Sequence, residues 1–151
     1  MIEGNKYIYK TNTSFLDYEF ESVGPKGVIK KVARFNLLEN NIYNFGFGDL
    51  NHLTGEISDT VVSNNNDGDK VLITVASIIS DFTSILKDSA IFIKGTTQSR
   101  TRRYQMGINK YWFQINTLFE IYGLRDNKWE LFRQGENYEA FLGRRNPDLL
   151  I

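Results

Sequence analysis

The residues best suited to chemistry in this chain form a short turn rich in hydroxyl groups, followed by arginines. The turn runs from Gly95 to Ser99 (GTTQS), and it is followed by Arg100, Arg102 and Arg103. The pattern predicts a helix that begins near Arg100, and the first turn of a helix has unpaired backbone N–H groups where the dipole favours an anion. Arginine can hold a phosphate through two parallel hydrogen bonds. The segment therefore predicts an anion-binding site.

The predicted site extends from the end of the preceding strand into the helix. Gly95 lets the chain turn sharply, and Thr97 or Ser99 can cap the helix. No Asp or Glu occurs between Ser89 and Phe119, so the positive charge of this segment is not balanced locally. The candidate ligand-binding residues are Lys94, Gly95, Thr96, Thr97, Ser99, Arg100, Arg102, Arg103 and Lys110. No catalytic residue, metal ligand or cofactor is assigned to them.

The same cations have a second explanation, which is pairing with acidic residues of this chain or of another subunit. Seven acids and only two lysines lie between Gly46 and Asp88. Arginines at a helix start also oppose the dipole, so a group outside the helix must compensate them. The helical period places Arg100 beside the apolar stripe, where we expect it to be half-buried and structural. Pairing requires Arg102 and Arg103 to meet Asp or Glu, whereas nucleic-acid binding requires the cations to face solvent.

An aromatic residue accompanies the basic helix. The helical period places Phe113 on the outer face, together with Arg102, Met106 and Asn109. An outward ring beside basic and amide side chains can stack on a nucleic-acid base. It can equally form a contact between two subunits, or be covered by the C-terminal segment.

The residues that could carry catalysis form weaker patterns. Cysteine is absent and His52 is the one histidine, which excludes thiolate chemistry and a histidine-rich zinc site. A Ser-His-Asp triad would need His52, and no GxSxG motif or phosphate-binding glycine loop occurs. Asp49, Glu56 and Asp59 could gather around a divalent metal for phosphodiester chemistry. A metal-dependent phosphodiesterase is therefore the third hypothesis.

Composition favours one folded domain. The chain has 151 residues with 18 basic and 18 acidic side chains, and we expect a single domain over 1–151 in which 1–6 and 146–151 are loosely ordered. A zero net charge argues against bulk attachment to nucleic acid or membrane but allows a local basic patch. No run approaches a membrane span and the N-terminus lacks the apolar region of a signal peptide, so we expect a cytoplasmic protein.

Hydrophobic periodicity predicts the order of the elements. Strands are expected at 15–21, 28–35, 42–49, 57–63, 91–93, 120–124 and 129–133, with a last ordered piece at 138–144. One helix follows a capping turn at 64–69 and ends near Lys87, and a second begins near Arg100 and carries its apolar stripe to Phe119. This order predicts an α+β fold: one twisted, mostly antiparallel sheet with two amphipathic helices packed on one face. The crossover around 57–93 allows one parallel pair of strands.

Several blocks resemble an uncharacterised family of small bacterial proteins, mainly from Bacteroidetes. These blocks are FESVGPKGVIKKVARF, NFGFGDL, ISDTVVSNNNDGDKVLITVA, IFIKGTTQSRTRRYQMGI and NYEAFL, and together they cover roughly residues 7–142. The family is a domain of unknown function, so the resemblance implies no activity. It implies that one segment is the most recognisable in the family, namely the one containing Gly95, Thr96, Arg100, Thr101, Arg102 and Tyr104.

The sequence thus favours a non-enzymatic binding module without a cofactor. Its ligand would be nucleic acid or another phosphate-bearing molecule, bound by the basic strand-turn-helix at 94–110. The alternative is a structural or interaction protein whose basic helix pairs with the acidic surface of a protein partner or of a second copy.

Overall fold

The computed structural model describes residues 2–58 and 64–146. Within these ranges the chain forms nine strands and three helices. The strands are β1 (Lys10–Thr11), β2 (Asp17–Gly24), β3 (Gly27–Glu39), β4 (Ile42–Leu50), β5 (Ile57–Ser58), β6 (Ala90–Ile93), β7 (Phe119–Arg125), β8 (Lys128–Leu131) and β9 (Ala140–Arg145). The helices are α1 (Gly68–Ile85), α2 (Gln98–Lys110) and α3 (Trp112–Leu118).

The strands form one sheet in the order β1-β2-β3-β4-β6-β9-β7-β8, and β5 pairs with β4 beyond the end of β6. Only β4 and β6 pair in parallel among the described strands, with Phe45 opposite Ile93. The connection between them carries α1, as a parallel pair requires a long crossover. The predicted α+β class and the mostly antiparallel sheet are confirmed. The parallel partner of β6 is β4, whereas β5, the described part of the fourth predicted strand, lies within the crossover and pairs with β4.

The largest hydrophobic cluster holds α1 against the middle of the sheet. The rings of Phe35 on β3 and Phe82 on α1 stack with centroids 3.9 Å apart and planes 6° apart, and both are fully buried. Phe45 and Ile91 join the same cluster from the two parallel strands, and Tyr104 of α2 packs against it. Large rings therefore fill most of the space between α1 and the sheet.

The second helical segment is interrupted, which corrects the prediction of one helix from Arg100 to Phe119. The break lies at Tyr111, which has φ −107° and ψ 24°. The break occurs because the apolar side chains of this helical segment pack into two different hydrophobic clusters. Tyr104, Ile108 and Trp112 pack around Phe132, Tyr138 and Phe141. Tyr111, Ile115 and Leu118 pack around Ile2, Ile73 and Phe119. A straight helix would present all six on one stripe, whereas the break lets each group reach its own cluster.

The turn before α1 differs from a simple capping turn. Asp67 occupies the N-cap position but its side chain caps no backbone N–H. It instead accepts hydrogen bonds from the hydroxyl groups of Tyr7 at 2.7 Å and Ser22 at 2.5 Å. The neighbouring Asn65 is buried and its amide nitrogen donates to Gly27 O at 2.9 Å. The polar turn residues therefore bind the β2–β3 hairpin to the start of α1.

The structure describes only part of the predicted strand 57–63 and of the two chain ends. The predicted strand 57–63 is confirmed at Ile57–Ser58, and 59–63 lie outside the described residues. Residues 1–6 are predicted to be loosely ordered; within them, Ile2 is buried in the second cluster and the Glu3 N–H donates to Gln114 Oε1 at 2.9 Å. At the other end, the Asn146 N–H donates to Leu118 O at 2.9 Å, and 147–151 lie outside the described residues.

The helices of the described ranges are too short or too polar to cross a membrane.

We predict that Phe82→Ala lowers the free energy of unfolding by about 3–5 kcal/mol, because it empties the space under the Phe35 ring. Phe113→Ala is the matched control, since that ring is 91% exposed and its loss should change stability by less than about 0.5 kcal/mol. Urea denaturation followed by far-UV circular dichroism measures both. Equal effects of the two substitutions would contradict the described core.

A carboxylate near the third cluster makes stability depend on pH. The Tyr138 hydroxyl donates to Glu130 Oε2 at 2.8 Å, and hydrogen bonds from Arg125 and Arg133 add to it. Together they lower the pKa of Glu130 below its ordinary value of about 4.5. A carboxyl group with a lowered pKa in the folded state stabilises that state at neutral pH, and this stabilisation is lost as the pH falls through the folded pKa.

We therefore predict that Glu130→Gln is less stable than the wild type at pH 7 and that the difference shrinks as the pH falls below about 4.5. Denaturant titrations at several pH values between neutrality and pH ~3 follow the difference. Glu139→Gln is the control, because Glu139 is exposed and its side chain has no hydrogen bond or ion pair within the described ranges. A difference that stays constant with pH would exclude Glu130 as the titrating group.

Candidate anion-binding cleft

Two threonine side chains form hydrogen bonds that hold the connection between β6 and α2 in place. Thr97 is the N-cap residue, and its side chain accepts a hydrogen bond from the Arg100 N–H at 3.2 Å. The Gly95 N–H donates to Thr101 Oγ1 at 3.0 Å. A methyl group at Gly95 would come within 2.5 Å of Arg100 Cβ and of the Thr101 nitrogen. Gly95 is therefore required because the end of β6 lies directly against the first turn of α2.

Two backbone N–H groups at the start of α2 have no hydrogen-bond acceptor in the described structure. Thr97 and not Ser99 caps the helix, and the Gln98 and Ser99 N–H groups donate no hydrogen bond within residues 2–58 and 64–146. The helix has no acidic residue in its first turn. No acidic side chain in that turn therefore compensates the positive end of the helix dipole.

Arg100 is the polar residue whose environment is least satisfied here. The residue is half-buried, as the helical period predicts. Its Nη2 atom is inaccessible to solvent and has no hydrogen-bond partner in the described structure. A buried charged donor without a partner is costly, whereas an anion beside it would remove that cost.

Arg100 lines a cleft of about 270 Å³ where the parallel strand pair ends. The cleft is open to solvent and has both polar and aromatic walls. It is lined by Asn44, Phe45, Gly46, Phe47, Phe92, Lys94, Gly95, Thr96, Arg100 and Tyr104. Four of the nine predicted site residues therefore meet at one cleft, namely Lys94, Gly95, Thr96 and Arg100.

The other predicted cations lie outside the cleft. Arg102 and Arg103 are exposed, and neither they nor Lys94 forms an ion pair within the part of the chain that the structure describes. Lys110 lies on the last turn of α2, about 15 Å along the helix from its first turn. It forms an ion pair with Asp69 at 2.6 Å, which raises the pKa of Lys110. The expected pairing with internal acids thus holds for Lys110 among the predicted cations.

The outer face of the helical segment carries two exposed apolar side chains. Met106 is 63% exposed and Phe113 is 91% exposed. Phe113 is thus not covered by any residue of the described ranges, including the strand that ends at Arg145.

Two of the three acids of the third hypothesis, Asp49 and Glu56, lie within the described residues. Asp49 forms an ion pair with Lys31 on the neighbouring strand β3. Glu56 lies in the loop before β5 and is exposed, and Asp59 is outside the described residues. No group of three or more potential metal-ligating side chains occurs among the residues that the structure describes.

Reasoning from the sequence missed the cleft residues that come from the sheet. Asn44 and Phe92 face each other across the parallel pair, and Phe47 lies further along β4. The signal that could have found them is the crossover itself, because ligands of open sheets with parallel strands bind beyond the carboxyl ends of the strands. Tyr104 belongs to the family-like segment, but its position on the cleft wall needed the fold.

A comparison with protein families gives a match to a family of unknown function, DUF6934, over residues 3–146. The chain belongs to this family. The resemblance to an uncharacterised family over most of the chain is confirmed. A search of curated proteins finds no match, and a search of solved structures finds none either. The family assignment carries no activity, so the geometry of the cleft is the basis for assigning one.

We predict that Arg100→Met leaves the free energy of unfolding unchanged or raises it by up to about 1 kcal/mol, because it removes an unpartnered buried donor and keeps the apolar stem. Arg34→Met is the matched control. Arg34 donates to Asp17 at 2.9 and 3.2 Å, so its loss should lower stability by about 1 kcal/mol. A large destabilisation by Arg100→Met in urea denaturation would mean that Arg100 holds the fold together.

Proposed function

We propose that this protein is a non-enzymatic binding module that holds a phosphate-bearing ligand, nucleic acid included, in the cleft at the start of α2. The phosphate lies between the Arg100 guanidinium group and the N–H groups of Gln98 and Ser99, with Lys94 beside it. Thr96 supplies a hydroxyl group at the cleft wall.

The observation that carries the proposal is the buried, unpartnered Nη2 atom of Arg100, a residue that lines an open cleft. A protein keeps such a destabilising arrangement where function requires it. The planar guanidinium group has the geometry for phosphate, and hydrogen bonds to a charged partner are worth about 1.5–3 kcal/mol. The missing partner is therefore best supplied by an anionic ligand.

The position of the cleft in the fold supports the same function. It lies beyond the carboxyl end of β6, where the chain enters α2, and helix N-termini bind phosphate through their free N–H groups. The proposal takes both long helices to lie over one face of the sheet, because Tyr104 of α2 and Phe82 of α1 pack on the same cluster. The first turn of α2 then lies at the end of the parallel pair.

The exposed cations around the cleft support an anionic ligand as well. Lys94, Arg102 and Arg103 have no ion pair within 2–58 and 64–146, so their charge is available to attract a phosphate. Binding to nucleic acid would then weaken as salt rises, because each phosphate contact releases counterions.

A second candidate function is a protein–protein contact through the outer face of the helical segment. The observation that favours it is the exposure of Met106 and Phe113 beside Arg102 and Arg103. Such a contact would have an apolar centre surrounded by basic side chains. These features would suit an acidic protein partner or a second copy of this chain. It would leave the unpartnered atom of Arg100 unexplained, so we rank it second.

We predict that pyrophosphate binds the wild-type protein and that Arg100→Gln weakens this binding about 10-fold or more, since the charged hydrogen bonds are lost. Isothermal titration calorimetry at low and moderate salt measures the dissociation constants. Arg102→Gln is the control, because it removes the same charge two residues away and outside the cleft, and it should change the affinity less than about 3-fold.

Two results would contradict the proposal. One is the absence of pyrophosphate binding even at low salt by a folded wild-type protein. The other is an equal loss in the two variants, which would indicate general attraction to a basic surface. Circular dichroism of each variant establishes that it is folded.

A further inference from the structure

An aromatic surface leads away from the cleft across the sheet. Phe92 lines the cleft and lies opposite Leu142 of β9. Leu142 lies opposite Tyr122 of β7, which lies opposite Leu131 of β8. Directly opposed residues in a sheet point to the same face, so these four side chains form one row. The row runs from the cleft to the edge of the sheet.

Trp129 extends this row and is the exposed aromatic residue beside the cleft wall. It precedes Leu131 by two positions on β8 and therefore shares its face. Its ring meets the Phe92 ring edge to face, with centroids 6.3 Å apart and planes at 74°. Trp129 is 43% exposed and Leu131 is 59% exposed.

The row lies on the face opposite the helical core. Phe45 and Ile93 pack with α1 and α2, whereas Asn44 and Phe92 precede them on the same strands and point the other way. None of the residues of the row belongs to the three hydrophobic clusters of the described structure. A large ring that serves no core and adjoins a cleft is available to a ligand.

We propose that the ligand is single-stranded nucleic acid, with one nucleotide in the cleft and the base of a neighbouring nucleotide stacked on Trp129. This inference rests on the proposed phosphate site. Stacking of unpaired bases on exposed aromatic side chains of a sheet is a general mode of single-strand recognition. The amide of Asn44, on the cleft wall, offers both a donor and an acceptor to the edge of the enclosed base.

The charge near the row favours nucleic acid over an apolar protein surface. Lys94 follows Phe92 by two positions at the cleft end of the row, and it is exposed without an ion pair in the described ranges. A cation at the end of an aromatic row matches a strand whose backbone is charged and whose bases have apolar faces. A duplex would not fit, because its bases are already stacked on each other.

The test uses Trp129 as its own probe. The chain has two tryptophans, and Trp112→Phe in the third cluster leaves Trp129 as the single emitter. We expect a single strand of about eight nucleotides, within the usual site sizes of ~4–16, to quench its emission on binding. Pyrophosphate and a mononucleotide should bind without this quenching, since they fill the cleft alone. Trp129→Ala should weaken binding of the strand about 5- to 100-fold and leave pyrophosphate binding unchanged.

The outcomes separate this inference from the proposed function. If pyrophosphate binds but the strand binds no more tightly than the mononucleotide, single-strand recognition is overturned and the phosphate site stands. If neither pyrophosphate nor the strand binds, both fail. If Phe113→Ala weakens strand binding and Trp129→Ala does not, the strand lies on the outer helix face and the inference fails. Fluorescence polarisation of a labelled strand with the wild-type protein gives the affinities independently of the Trp112→Phe background.

Discussion

The parallel pairing of β4 with β6 is the constraint on which the rest of the molecule depends. A parallel pair needs a crossover, and here the crossover supplies α1, which covers the centre of the sheet. The same pairing aligns Phe45 with Ile93, so that β6 ends beside the middle of β4. The chain must then leave the sheet at Gly95, and this departure creates both the cleft and the start of α2.

Aromatic packing makes this arrangement rigid enough to hold an unsatisfied charge. The stacked rings of Phe35 and Phe82 fix α1 against the sheet, and Tyr104 fixes α2 against the same cluster. The close approach of Gly95 to the first turn of α2 places Arg100 beside the end of β6, where it lines the cleft. Stability gained in the core thus offsets a local cost at the cleft, as is common at binding sites.

The sequence predicts most of the elements but only part of the site. Alternation of apolar residues located the long strands, and the 3.6-residue period located α1 and the half-buried position of Arg100. The break at Tyr111 could not be predicted, because it depends on which hydrophobic cluster each apolar residue of the helical segment packs into, and those clusters are formed by the fold. For the same reason Lys110 was grouped with residues about 15 Å away, although the fold pairs it with Asp69. The position of Trp129 beside Phe92 could not be predicted either, since the two residues come from strands that are distant in the sequence. The charge of a segment can be counted directly from the sequence, whereas the cleft is formed by strands that are distant in the sequence and pair only in the fold.

The most direct test of the central claim is a titration of the ¹⁵N-labelled protein with pyrophosphate, followed by two-dimensional nuclear magnetic resonance. If the anion binds where we propose, the amide signals of Gly95, Thr96, Gln98 and Ser99 and the side-chain Nε–H signal of Arg100 shift together and saturate with one dissociation constant. Shifts confined to Arg102, Arg103 and the outer helix face, with the signals of the cleft unchanged, would contradict it.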